Sequence, residues 1–258
     1  MTFTANASRA ILVLLHWIVY LHDTYLSVKW LVISWILGTA YSLNEDSELV
    51  RADASKLRKK PRHLSVILQY TNTSGVEALI EDTVNVVCWS IAAGLNRLTV
   101  YERTGILKED CDLLQKILNN RLQSYMSAEF CTEVKLYVPH TGRSIGPESG
   151  FLVSLISEED GKETIVDLTK SFCEMSAKDQ LNDQDITVEM VDSHLQKLVV
   201  PEPDLLIVTG KDSYLYGYPP WQLRVCEIYF TNKSSPLDYV SFLKGCINYS
   251  GANITLGR

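Results

Sequence analysis

The chain has 258 residues, 46% of them hydrophobic, enough to bury a sizeable core as one large domain or two small ones. Its 24 Lys and Arg against 31 Asp and Glu give a net charge of −7; this leaves no basic field for a nucleic acid backbone, and no nucleic acid partner is expected. The six cysteines (Cys88, Cys111, Cys131, Cys173, Cys226, Cys246) are far apart with no Cys-x-x-Cys pair, so each reads as a small buried apolar residue and no metal site is expected.

From Arg9 to Leu43 the sequence is rich in Leu, Ile, Val, Trp and Tyr, and it divides at His22-Asp23 into Ala10 to Leu21 and Thr24 to Leu43. The second piece approaches the roughly 20 apolar residues of a membrane span, with Tyr25, Trp30 and Tyr41 as interfacial aromatics and Lys29 able to snorkel. The first is shorter and contains His16. No small-residue cleavage site separates the two, which favours a retained anchor over a signal peptide. Residues 1–43 therefore read as a membrane anchor of one or two hydrophobic segments and 44–62 as a charged linker. The basic run from Lys56 to Arg62 places the domain that follows on the cytoplasmic side, with anionic lipid as an additional contact.

Beyond the linker, strands alternate with helices. Leu64 to Tyr70 reads as a strand, and Gly75 to Gly94 as a helix with Val76, Leu79, Ile80, Val84, Val87, Cys88 and Ile91 on one face, stopping at Gly94. Leu98 to Tyr101, Val134 to Val138 and Phe151 to Ile156 read as strands and Lys108 to Met126 as a helix; a polar stretch without an assigned element runs to about Asp185. A helix at Thr187 to Leu198, a strand within Pro201 to Thr209, a strand or helix start at Cys226 to Phe230 and a helix from Asp238 to Ile247 complete the pattern. The expected fold is α/β: a single domain over 63–258 with a mostly parallel sheet flanked by helices.

The segment from Pro203 through Asp-Leu-Leu-Ile to Phe230, with Trp221-Gln222 and Glu227-Ile-Tyr-Phe230 at matching spacing, resembles the C-terminal signature of the cis-prenyltransferases, the undecaprenyl and dehydrodolichyl diphosphate synthases. Weaker similarity runs through Pro61-Arg-His63 to Leu68, Cys88-Trp89 and Leu98 to Tyr101. The resemblance implies joining isopentenyl diphosphate to an allylic diphosphate, where magnesium and cationic donors hold the departing diphosphate. Active members follow the first strand with Asp-Gly-Asn-Arg-Arg; this chain has Gln69-Tyr-Thr-Asn-Thr-Ser-Gly75. Val208 and Tyr214 stand where the family has two arginines, and Gly210-Lys211 replaces Ser-Gly.

An anchor, a degenerate first-strand motif and a broken signature together resemble the Nogo-B receptor type of accessory subunit. That resemblance implies a subunit inactive alone that stabilises and anchors a catalytic dehydrodolichyl diphosphate synthase-like subunit at the endoplasmic reticulum membrane. The complex would make long-chain polyprenyl diphosphate for dolichol and protein glycosylation, with Mg2+ in the catalytic partner and membrane lipid as a further contact. In that subfamily an Arg-x-Gly tail helps complete the partner's diphosphate site; the matching tail is Thr255-Leu256-Gly257-Arg258, with Thr255 in the arginine position. Trp221, Glu227, Tyr229 and Phe230 are expected at an interface or vestigial site. The competing expectation is a receptor or binding protein with a luminal glycosylated domain, which the sequons at Asn6, Asn72, Asn232, Asn248 and Asn253 permit.

Overall fold

A computed structural model describes residues 12–22, 24, 25, 28, 47–70, 75–126, 132–210, 212–231 and 237–252. The chain separates into two compact units, Met1–Glu45 and Asp46–Arg258.

In the first unit residues 12–22 are helical, with apolar side chains from Leu12 to Leu21 exposed and Trp17 and Tyr20 in an edge contact at 6.0 Å. No helix among the described residues is long and apolar enough to cross a membrane. Most of the longer segment, Thr24 to Leu43, lies outside the described residues.

The second unit begins with helix α1 (Ser47–Ser55) and then alternates: β1 (His63–Leu68), α2 (Gly75–Ala92), β2 (Arg97–Glu102), α3 (Ile106–Glu109), α4 (Cys111–Tyr125), β3 (Val134–Val138), β4 (Arg143–Ile145), β5 (Phe151–Ile156), α5 (Lys162–Ala177), α6 (Val188–Leu198), β6 (Leu205–Val208), β7 (Glu227–Phe230) and α7 (Tyr239–Gly251). The strands form one sheet in the order β4-β3-β5-β2-β1-β6-β7, parallel throughout except for β4 at one edge. β1 is fully buried because it is central and covered on both faces.

Register divides the side chains between the faces. His63, Ser65, Ile67, Thr99, Tyr101, Ile156, Leu206, Val208, Ile228 and Phe230 share one face; Leu64, Val66, Leu98, Val100, Leu205, Ile207 and Tyr229 share the other. α7 packs on the second face, where Gly245 sits against Ile207 and Tyr229, and α2 meets α7 through Trp89, 5.6 Å from both Tyr239 and Phe242. α2 is buried almost all round rather than on one stripe. It ends at Gly94 as the sequence suggests: with φ +76° there, Leu95 N–H donates to Ser90 O and Gly94 N–H to Ile91 O, a Schellman closure.

Three segments differ from expectation. The charged linker holds α1, whose Val50 and Ala54 are buried one helical turn apart, and Asp53 accepts a hydrogen bond from Tyr239 Oη. The long helix expected over 108–126 is divided at Asp110 into α3 and α4. The polar stretch after β5 contains the sixteen-residue α5, which buries only Leu168 and Phe172, too thin a stripe for apolar periodicity to register. Short β4 is equally silent, being an exposed edge.

A β-carbon at Gly245 would lie 2.8 Å from Ile207 Cδ1 and 3.3 Å from Tyr229 Cδ1, whereas one at Gly251 would meet nothing within 4 Å. Gly245→Val is expected to lower unfolding free energy by about 2 kcal/mol in urea titrations, and Gly251→Ala to change it by roughly 0.5 kcal/mol or less.

Candidate functional site at the carboxyl ends of the strands

Ligand crevices of open parallel sheets form at the carboxyl ends of the strands. In this chain Gln69 follows β1, Thr209-Gly210 follow β6, Glu102 ends β2 and Ser157 follows β5. The polar groups there bond to one another. Gln69 Nε2 donates to the Thr209 carbonyl at 2.5 Å, and Thr209 Oγ1 donates to the Ile67 carbonyl at 2.8 Å. Gly210, at φ +140°, a conformation that side-chain-bearing residues rarely adopt, lies against the Gln69 amide and the Tyr216 hydroxyl. The buried Glu102 carboxylate accepts from the N–H groups of Thr104, Gly105 and Ile106 and from the Thr104 hydroxyl, closing the amino end of α3. Lys108, nearly buried, bridges Glu159 and the fully buried Asp160, which also accepts from Ser157 N–H.

The connection from β6 to β7 closes the first face of the sheet. Tyr218 is buried, its hydroxyl 3.0 Å from Ser65 Oγ and its ring 5.4 Å from that of Tyr101. Tyr101 Oη donates to the Tyr216 carbonyl at 2.5 Å, and Tyr216 and Gly217 both take positive φ, 49° and 87°. Burial pushes both phenols upward from their ordinary pKa, so they remain neutral hydrogen-bond donors. Around them Ile67, Ile156, Leu206 and Val208 form one apolar cluster with Leu215, Leu223 and Phe230.

Trp221, Glu227, Tyr229 and Phe230 do not converge. Trp221 joins the α5–α6 hairpin through Leu168, Phe172 and Leu195, donates from Nε1 to Asp192 at 2.9 Å and stacks under Arg224 at 4.9 Å. Arg224 also bridges Asp192 and Glu202, each at 2.7 Å. Tyr229 packs beneath α7 and Phe230 lies on the opposite face. Glu227 is in register with Leu205 and, through it, Leu64, at the amino ends of the strands. It is therefore roughly 16 Å along β1 from Gln69 and two strand spacings to the side.

A magnesium-diphosphate site needs converging oxygen ligands and cations. Among the described residues the carboxyl end of β1 offers an amide and a phenol, and Glu227 is at the far end of the sheet. No group of three His, Cys, Asp or Glu side chains among the described residues could hold a metal ion. Val208, in an arginine position, is buried at 1% exposure in the apolar cluster, and Tyr214, in the other, is 66% exposed. Lys211 and the Thr255-Leu256-Gly257-Arg258 tail lie outside the described residues. The described cysteines are free, and burial pushes the Cys226 and Cys246 thiols up to about 12, where they are unreactive.

Comparison with known proteins places this geometry in a lineage. A family model described as "Putative undecaprenyl diphosphate synthase" matches residues 144–257. The chain is 33% identical over 232 residues to the dehydrodolichyl diphosphate synthase complex subunit nus1 of Schizosaccharomyces pombe, covering 87% of this chain and 88% of that protein. The chain belongs to the NUS1 subunit family. The NUS1 subunit of Saccharomyces cerevisiae is 32% identical over 259 residues, covering 91% of this chain and 68% of its own length. The fold of this chain is similar to that in the crystal structure of lavandulyl diphosphate synthase from Lavandula x intermedia in complex with dimethylallyl diphosphate, at TM-score 0.56 and 20% identity, covering 77% of this chain and 99% of that one.

His63, at a family position, is a satisfied structural group. Its Nδ1 lies 3.2 Å from the Glu202 carbonyl, which can only accept, so Nδ1 carries the proton and Nε2 accepts from Thr99 Oγ1 at 2.8 Å. Burial lowers its pKa from 6.5 to about 4, opposed by the Glu202 hydrogen bond. As pH falls between these values the unfolded chain takes up a proton that the folded chain refuses. Stability is thus full above about 6.5 and lost on the way down through about 4, by an amount on the order of 3 kcal/mol. His63→Gln is expected to flatten that part of the stability-pH curve, measured by urea unfolding at pH 4.5 and 7.5.

Proposed function

We propose that this chain is the non-catalytic, membrane-anchoring subunit of a dehydrodolichyl diphosphate synthase complex, supplying long-chain polyprenyl diphosphate for dolichol and protein glycosylation. The observation that carries the reading is its 33% identity, over nearly the full length of both proteins, to a subunit named for that complex. The self-bonded carboxyl ends of β1 and β6 support a non-catalytic role, because Gln69, Thr209 and Gly210 occupy one another where a diphosphate would need cations. Magnesium and the condensing residues then belong to a catalytic cis-prenyltransferase partner. The apolar run from Thr24 to Leu43 supports an anchor, and the complex is assigned to the endoplasmic reticulum membrane with its α/β domain facing the cytoplasm.

The α5–α6 hairpin offers a surface for that partner. Ile165, Leu168, Phe172, Ile186 and Val191 line an open groove of about 440 Å3, with Val166 and Val188 more than half exposed beside it. Residues 158–192 carry eleven acids against three lysines, so this segment alone outweighs the net charge of the whole chain. A partner face with an apolar centre and a basic rim complements it.

The purified chain alone is expected to show no condensation of isopentenyl and farnesyl diphosphates, and to raise the activity of a catalytic subunit at least tenfold when the two are combined. Equal activity with and without this chain would sink the reading. Val166→Glu with Val188→Glu should cut co-purification of the catalytic subunit at least tenfold while leaving the chain folded by circular dichroism. Unchanged recovery would place the contact elsewhere.

A further inference from the structure

Arginines without an acidic partner gather at one edge of the domain. Arg103, Arg121, Arg143 and Arg224 each pair with a carboxylate, at 2.7 to 3.2 Å. Among the described residues no carboxylate pairs with Arg58, Arg62 or Arg97 in this way. Arg62 and Arg97 stand at the amino ends of β1 and β2: His63 is in register with Arg97, and the Arg62 carbonyl accepts from the N–H groups of Asn96 and Arg97 at 3.0 and 3.2 Å. Arg58 and Arg62 are exposed and Arg97 is half-buried.

The carboxyl ends of α2 and α7 reach the same edge, and two lysines meet them. Lys60 Nζ donates to the Ala93 carbonyl just past α2 at 3.0 Å. Lys59 clasps the end of α7: its ammonium donates to the Ala252 carbonyl at 2.6 Å and stands 4.5 Å from the centre of the Tyr249 ring, while the backbone N–H groups of Arg58 and Lys59 reach Ser250 Oγ. The lysines thus answer the partial negative charge of both helix ends. The acids nearby are held by other donors. Asp204 accepts from the N–H groups of Arg62 and His63 at 2.6 and 2.9 Å, Glu202 is bridged by Arg224, and Glu227 lies two strands to the side of β1.

Three guanidinium groups are left over on an otherwise acidic chain of net charge −7, and a guanidinium fork matches phosphate oxygens. An anionic surface repels most of such a chain, so the edge that carries the unpaired cations decides which way it turns. The sequence supplies the occupant. Arg58 and Arg62 belong to the basic run that begins at Lys56, soon after the apolar run that ends at Leu43, and the fold adds Arg97 to them. We infer that Arg58, Arg62 and Arg97 form a docking edge for an anionic phospholipid bilayer, with the amino ends of β1 and β2 turned towards the lipid phosphates. The inference deepens the proposed anchoring role by giving the domain an orientation on the membrane.

The test uses the full chain with Cys131→Ser and Cys173→Ser, reconstituted in phosphatidylcholine vesicles with and without about 30% phosphatidylserine. A bimane fluorophore is attached at Asn96→Cys, in the exposed turn beside Arg97, or at Ser213→Cys, in the exposed loop beyond the carboxyl end of β6, and its quenching by a lipid with a nitroxide headgroup is read. Phosphatidylserine is expected to raise quenching at residue 96 at least about twofold and to leave residue 213 unchanged. The rise should vanish in about 0.5 M NaCl, which screens the attraction. It should vanish too in the combined variant Arg58→Gln, Arg62→Gln, Arg97→Gln, each change weakening surface attraction by about fivefold.

Equal quenching at residue 96 in neutral and anionic vesicles would overturn the inference, as would a rise that survives high salt or the combined variant, or an equal rise at residue 213. The salt and lipid comparisons need no arginine substitution and decide the question even where the combined variant loses its circular dichroism. Flotation separates this inference from the anchor: a chain that floats with anionic vesicles alone refutes the apolar anchor and keeps the docking edge, and one that floats with neither refutes both.

Discussion

The hydroxyl of Tyr218 on Ser65 and that of Tyr101 on the Tyr216 carbonyl hold together a part of the fold that regular secondary structure leaves open. β6 and β7 are parallel neighbours, yet the described residues between them hold only a short 3-10 turn, Pro220–Leu223, where such a crossover usually carries a helix. The sheet face beneath it holds Ser65 and Thr99 among apolar neighbours, and these polar groups need partners as well as cover. Tyrosine provides both, a large apolar ring with a hydroxyl at its tip. Two successive positive-φ residues, Tyr216 and Gly217, fold the loop back so that those rings reach the sheet.

That closure has a chemical consequence. The carboxyl ends of parallel strands are where backbone ends and side chains are free to meet a ligand, and in this chain they meet each other. Gln69 satisfies Thr209, Glu102 satisfies the first turn of α3, and Lys108 neutralises Asp160. Each of these groups has an internal partner, so a diphosphate reaching them would have to break a bond for every one it made. The distinctive surfaces of the domain lie elsewhere: the acidic, apolar-lined α5–α6 hairpin and the clasp at the end of α7.

Charge is distributed accordingly. The lysines after α1 look in sequence like a solvated or lipid-facing linker, but two of them sit on helix-end carbonyls 33 and 193 residues away. Asp192 and Glu202 likewise read as surface acids until the fold brings Arg224 and Trp221 to them. These contacts cross the chain at distances that no local pattern encodes.

The sequence by itself determined the alternation of strands and helices, the buried strands, the stop at Gly94, and the family frame from Pro203 to Phe230. All of these depend on local signals: apolar runs, glycine at positive φ, and side-chain spacing. It also showed that Gln69, Val208 and Tyr214 stand where the family it resembles carries charged ligands, since that is a matter of residue identity alone. It missed α1 and α5 because helices that bury two or three side chains leave little periodicity. Only the tertiary structure decided that Glu227 stands at the opposite end of the sheet from Gln69, that Tyr216 and Tyr218 close over the sheet face, and that Lys59 holds the end of α7. Each of these depends on strand register and loop path, which are fixed by packing among residues distant in sequence.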